Sequence, residues 1–230
     1  IKAGKDWYQL LTGRAGKKTA IVIKKGGKKE QEIFVEPAFT DYKLMYNRWV
    51  KQREAKVKEI SGGKVGYVHV EGMNSPSYRE VYSKALGKYR TADALVVDTR
   101  HNDLVTFLSG KAYVNYQPRG QYIGTDPYSK WVKPSCVLVC EDNYSDACGF
   151  PYAYQSLGIG KLVGTPVAGT MTAVWWETQI NGNIVFGIPQ VGSWCIKEGH
   201  YNENHQVEPD ILVYNDPASV LRGEDKQLET

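Results

Sequence analysis

Ser135-Cys136-Val137-Leu138-Val139-Cys140-Glu141-Asp142-Asn143-Tyr144-Ser145-Asp146-Ala147 is the stretch that decides the fold. Its first six residues make a short apolar run, the pattern of a strand covered on both faces. The chain then turns, and a serine stands at the start of the next helix. A strand feeding a helix in this way is half of an α/β unit. The same geometry sets a hydroxyl beside the unpaired N–H groups of a first helical turn, two of the parts that acyl transfer needs. A serine in that position is also an ordinary N-cap, so Ser145 by itself decides nothing.

Working outward, Ala94-Leu95-Val96-Val97-Asp98 is a second continuous apolar strand, and 65–70 is a strand before it. Between them, Ser77-Tyr78-Arg79-Glu80 forms a capping box after Pro76. The helix it opens places Val81, Tyr82, Ala85, Leu86 and Tyr89 on one side. Downstream, the helix after Ser145 runs to about Leu157 and is interrupted by Pro151. Strands follow over 161–164 and 184–186, and 207–213 closes the core. Upstream, 6–11 is a short helix closed by Gly13, and 19–23 and 32–35 form a hairpin. Thr40 caps a helix over 41–59, with Met45, Trp49 and Val50 on one face, stopped by Ser61-Gly62-Gly63.

The 230 residues are 42% hydrophobic and 23% charged, enough for one good core. No apolar run approaches the roughly 18 residues of a membrane span. The net charge of +4 is uneven: residues 1–64 hold 16 Lys+Arg against 7 Asp+Glu, while the remainder is acidic. The lysines cluster at Lys24-Lys25-Gly26-Gly27-Lys28-Lys29, which reads as a solvated hairpin tip rather than a nucleic-acid surface. Cys136, Cys140, Cys148 and Cys195 lack metal or redox spacing and read as buried free thiols. Cys136 and Cys140 share a strand face but lie too far apart to bridge. The chain opens on Ile1 rather than a methionine, and is expected to be part of a longer polypeptide.

Three segments taken together carry a resemblance: Cys140 to Ala147, then Leu157-Gly158-Ile159-Gly160-Lys161-Leu162-Val163-Gly164-Thr165-Pro166, then Glu203-Asn204-His205-Gln206-Val207-Glu208-Pro209-Asp210. They resemble the tail-specific and tricorn-type serine peptidases, the family of C-terminal-processing proteases. Lys64-Val65-Gly66-Tyr67-Val68 is similar to the family's first catalytic strand, and Asp98-Thr99-Arg100-His101-Asn102 to its Asp-x-Arg-x-Asn strand end. The resemblance implies an α/β fold with a crotonase-like spiral catalytic core over 64–230. It places the C-terminal part of a PDZ-like domain at 1–38 and a linker helix at 39–63.

The resemblance also implies roles. Ser145 is the expected nucleophile, and the Asp146 N–H an oxyanion donor. One branch of the family uses a Ser–Lys dyad, but Thr170 occupies the lysine's place here and cannot serve as that base. The tricorn branch uses a Ser-His-Ser-Glu tetrad, and Glu203 matches its glutamate. The tetrad's histidine and second serine are expected outside this chain, because His69, His101, His200 and His205 match no catalytic position. The glycine-rich loop that should follow Asn102 is missing from the sequence, which continues Asp103-Leu104-Val105. Expected partners are a peptide or unfolded protein substrate and further copies of the chain, with no nucleic acid, metal or cofactor. The compartment stays open, an exported one being the family's suggestion. The rival reading is a non-catalytic PDZ-containing peptide-binding module. The aromatic stretch 172–178 reads first as a core or interface strand, then as a groove wall. Arg119-Gly120-Gln121-Tyr122 and Asp126-Pro127-Tyr128 read as a loop over the site.

Overall fold

A computed structural model describes the chain except residues 1–6, 25, 27, 28, 73, 100–104, 113, 122, 123 and 127–129. The elements in chain order are a 3₁₀ turn (Trp7–Leu11), β1 (Thr19–Ile23), β2 (Gln31–Val35), α1 (Tyr42–Ile60), β3 (Val65–His69), α2 (Ser75–Ser83) continued by a π-helical turn (Lys84–Lys88), β4 (Ala94–Asp98) and α3 (Val105–Leu108). There follow β5 (Val114–Tyr116), β6 (Gly124–Asp126), β7 (Ser135–Val139), α4 (Asp146–Ser156), β8 (Lys161–Gly164), β9 (Ala173–Thr178) and β10 (Val185–Val191). The last are β11 (Trp194–Cys195), β12 (His200–Tyr201), β13 (Ile211–Leu212), α5 (Pro217–Leu221) and α6 (Lys226–Glu229).

Two compact units divide between Lys51 and Gln52, inside α1. In the first, β1 and β2 pair antiparallel from Thr19↔Val35 to Ile23↔Gln31. The Thr40 hydroxyl accepts the Tyr42 N–H at the start of α1. Met45 is exposed and Trp49 and Val50 are half-buried. Part of the lysine-rich tip, Lys25, Gly27 and Lys28, lies outside the described residues.

The second unit is built on a five-stranded parallel sheet in the order β13-β8-β7-β4-β3. The apolar runs read from the sequence are its central strands. Leu95, Val97, Val137, Val139 and Leu162 are fully buried, with Val81, Ala85, Phe150 and Tyr154 from the flanking helices in the same cluster. Burying side chains of this kind stabilises by about 1.5–3 kcal/mol each. Gly164 sits at φ 142, where a Cβ would collide with the Val139 carbonyl, so only glycine lets β8 end this close to β7. Arg53 Nε donates to Asp225 Oδ2 at 3.0 Å within this unit, a pair with little access to water. Among the described residues no helix is long and apolar enough to cross a membrane.

Five element readings are corrected. The helix α2 begins before Ser77, and its cap is Asn74, whose Oδ1 accepts the Ser77 N–H at 2.9 Å. Pro76 needs no hydrogen-bond partner in the first turn, so the chain can enter the helix upstream of it. The closing segment 207–213 is strand only at β13, and Val207 forms a separate antiparallel bridge to Val167. The strand expected at 184–186 extends as β10 to Val191. The stretch 172–178, read as a core or interface strand, is not core: among the described residues β9 pairs with β10 alone, and Trp175 and Trp176 are 58% and 64% exposed. A two-stranded ribbon leaves both of its faces open. Asp126 belongs to β6, paired with β5, rather than to a loop, while Tyr122, Pro127 and Tyr128 lie outside the described residues.

Candidate active site

Ser145 follows the carboxyl end of β7, where parallel sheets characteristically place their ligands. It holds the N-cap position of α4 at φ 58, ψ −125, and its side chain makes no capping hydrogen bond. A cap residue normally has extended backbone and an engaged hydroxyl. Here the backbone is in a region that costs a non-glycine residue about 1–3 kcal/mol, and the hydroxyl is left for other use. The Ser145 carbonyl, by contrast, is engaged, accepting the Cys148 N–H at 2.7 Å. No main-chain partner takes the Asp146 N–H among the described residues. That N–H lies in the first turn of an 11-residue helix, at the positive end of its dipole.

The turn before Ser145 is held by Asn143, which is fully buried. Its Oδ1 accepts the Cys140 N–H at 3.0 Å, and its Nδ2 donates to the carbonyls of Thr99 at 2.9 Å and Ala147 at 3.1 Å. One amide therefore ties β7, the end of β4 and the first turn of α4 together. Thr165 braces the same turn, accepting the Glu141 N–H and donating its hydroxyl to the Glu141 carboxylate. Asp98 is buried and accepts the Tyr67 hydroxyl at 2.7 Å. The rest of its strand-end motif, Arg100, His101 and Asn102, lies outside the described residues.

Glu203 is half-buried on the turn after β12. Its Oε2 accepts the main-chain N–H groups of Met171 at 2.9 Å and Thr172 at 2.7 Å. Hydrogen bonding from Thr172 is the largest influence, and it holds the carboxyl below the usual carboxylate range. Glu203 is thus an oriented anion rather than a loose turn carboxylate. His205 is exposed; its Nδ1 pairs with the main-chain oxygen of Glu203, not its carboxylate, and its ring stacks on His200 at 3.9 Å. A cavity of about 650 Å³ is lined by Tyr152, Glu198, His200, Asn202 and His205 among others, but not by Ser145 or Glu203. All four cysteines are free; Cys148 and Cys195 are buried, Cys136 and Cys140 only half-buried. Among the described residues no group of three or more His, Cys, Asp or Glu side chains could hold a metal.

The Ser145 and Glu203 segments both fall within residues 104–213, which match the sequence profile of Peptidase family S41. Residues 104–213 thus carry a Peptidase family S41 domain. Over 96% of its length the chain is 30% identical to Tricorn protease homolog 1 of Streptomyces coelicolor. It is 25% identical to the Tricorn protease of Thermoplasma acidophilum over the whole chain. It spans 21% and 22% of those two relatives, about a fifth of their length. The crystal structure of the tricorn protease superposes on all of this chain, and on 23% of its own, with a TM-score of 0.84 at 24% identity. Mature CPAF in complex with lactacystin matches 92% of the chain and 66% of its own at TM-score 0.55 and 13% identity. These likenesses establish the α/β, mainly parallel fold of the S41 domain.

Asn143 gains a part that the sequence did not assign to it. The available signal was an asparagine in the turn that follows an apolar strand, a position where a side chain often replaces main-chain partners.

Proposed function

We propose that this chain is the nucleophile-bearing part of a serine peptidase that cleaves peptide bonds through an acyl-enzyme on Ser145. The observation that carries this reading is the Ser145 backbone, strained at a helix start where its hydroxyl caps nothing. Strain of this kind persists where surrounding structure over-determines it, and it concentrates at reactive positions.

In this reading the Ser145 hydroxyl loses its proton to a histidine as Oγ bonds to the substrate carbonyl carbon. The Asp146 N–H donates to the oxyanion, a contribution of about 3 kcal/mol. The tetrahedral adduct collapses, the C–N bond breaks, and the histidine returns the proton to the leaving amine. Water then hydrolyses the ester and restores Ser145. Glu203 orients the histidine through an intervening serine, in a Ser-His-Ser-Glu tetrad whose histidine and second serine lie on polypeptide outside this chain. The fixed, anionic Glu203 carboxylate supports that assignment. The substrate is a peptide or unfolded protein, and the working form is a homo-oligomer. Residues 64–230 are the crotonase-like core, preceded by the PDZ-like remnant at 1–38 and the linker helix at 39–63.

A fluorophosphonate probe on the full-length polypeptide tests this reading. Ser145 should be labelled, and Ser145→Ala should abolish both labelling and peptide hydrolysis. Peptide binding without labelling or hydrolysis would identify a non-catalytic binding module instead.

A further inference from the structure

Segment 167–172 lies between the two residues the proposed chemistry depends on. On one side it meets the first turn of α4. The Cys148 sulfur is 2.7 Å from the Ala168 carbonyl, 3.2 Å from the Thr170 hydroxyl and 3.0 Å from the Asn143 carbonyl. Next to it, a Cβ on Gly149 would meet the Met171 side chain at 2.6 Å. On the other side the segment meets the Glu203 turn. Val167 and Val207 exchange two main-chain hydrogen bonds of 3.0 Å, and the Asn204 N–H donates to the Gly169 carbonyl at 2.8 Å. Gly169 lies so close to the His205 main chain that a Cβ there would overlap it. The segment ends at Met171 and Thr172, whose N–H groups hold the Glu203 carboxylate.

We infer that Cys148 and Thr170 form a positioning pair that fixes the Ser145 turn against the mount of Glu203. The inference rests on the peptidase reading above. Cys148 is fully buried, so its part is geometric rather than that of a reactive thiol. A thiol has one proton and can also accept. The shortest contact directs that proton to the Ala168 carbonyl, which leaves the sulfur to receive the Thr170 O–H. Thr170 occupies the position where the dyad branch carries its lysine. Its hydroxyl here serves as a strut across the gap between helix and strap. Removing either side of the contact loosens segment 167–172 against α4, while Glu203 stays attached to that segment. The carboxylate then moves relative to Ser145, and chemistry suffers more than substrate binding.

The experiment uses Thr170→Val, Cys148→Ala, their double variant and Cys148→Ser in the full-length polypeptide, with peptide hydrolysis resolved into kcat and KM. Each single change should lower kcat about tenfold to a hundredfold with KM little altered, the scale expected when catalytic groups are misplaced by about an ångström. The double variant should lose no more than the worse single one, since both break the same contact. Cys148→Ser, which keeps a donor and an acceptor, should recover most of the rate. Wild-type kcat in folded Thr170→Val, or strictly additive losses, would overturn the inference. If Cys148→Ala does not fold, Thr170→Val, near-isosteric at a half-buried site, decides the matter by itself. Hydrolysis that survives Ser145→Ala would sink the peptidase reading. Hydrolysis abolished by Ser145→Ala but indifferent to Thr170→Val would sink the positioning inference alone.

Discussion

The side-chain amide of Asn143 donates to the main-chain carbonyl of Thr99 at 2.9 Å, across 44 residues of sequence. This bond anchors the turn carrying Ser145 to the end of β4, and the same side chain closes two further bonds on its own turn. Asn143→Ala leaves two buried carbonyls and one N–H without that partner. The expected cost is about 2–4 kcal/mol, read as a lower urea midpoint at unchanged m-value. A loss under 1 kcal/mol would mean that water replaces the amide.

Ser145 occupies a backbone region suited to glycine. Ser145→Gly should therefore relieve strain and raise stability by about 1 kcal/mol while removing the hydroxyl. Thermal unfolding of the two proteins checks this. A glycine variant no more stable than wild type would show that the turn carries little strain. Such a trade, stability gained where function is lost, is typical of catalytic positions.

Glu203 gives a pH dependence of definite sign. Its native carboxyl is held below the ordinary carboxylate range by the Thr172 and Met171 donors. The unfolded chain therefore takes up the proton first as pH falls from about 4.3. The contribution of these bonds is present above that point and is lost as pH drops through the lower native value. Glu203→Gln should be less stable than wild type at pH 6, and the gap should close on acidification. A gap that is constant down to pH 3 would show that the charge is not what the two N–H groups hold.

The sheet was legible because its signal is local. The runs at Ala94–Asp98 and Ser135–Val139 are apolar on both faces and are recovered in register as neighbours. Ser145 and Glu203 are candidate site residues through the resemblance of their segments to a known family. What holds them was not legible. The contacts of Asn143 with Thr99 and of Met171 and Thr172 with Glu203 join positions at least 31 residues apart, and no periodicity encodes them. The Ser77 capping box failed for a related reason. The motif was satisfied in letters, but Asn74 offered its oxygen to the Ser77 N–H first. The core half of the reading of 172–178 as a core or interface strand fails because Trp-Trp marks burial in composition, while the β9–β10 ribbon leaves Trp175 and Trp176 exposed.

Cys136 offers a check on the sheet itself. It lies on β7 between Val96 of β4 and Lys161 of β8, and burial pushes its thiol up to about 11. An unfolded cysteine ionises near 8.5, so between these values the unfolded chain has lost a proton that the native chain keeps. The stability Cys136 contributes is whole below about pH 8.5 and declines as pH rises through that window. Wild type should therefore lose urea resistance faster between pH 8 and pH 10 than Cys136→Ala, which has no thiol to ionise. In the same range an aromatic disulfide reagent should modify Cys136 far more slowly in the native protein than in the unfolded one. Rapid modification of the native protein at pH 8, or parallel pH profiles for the two proteins, would mean that β7 opens to solvent at this position.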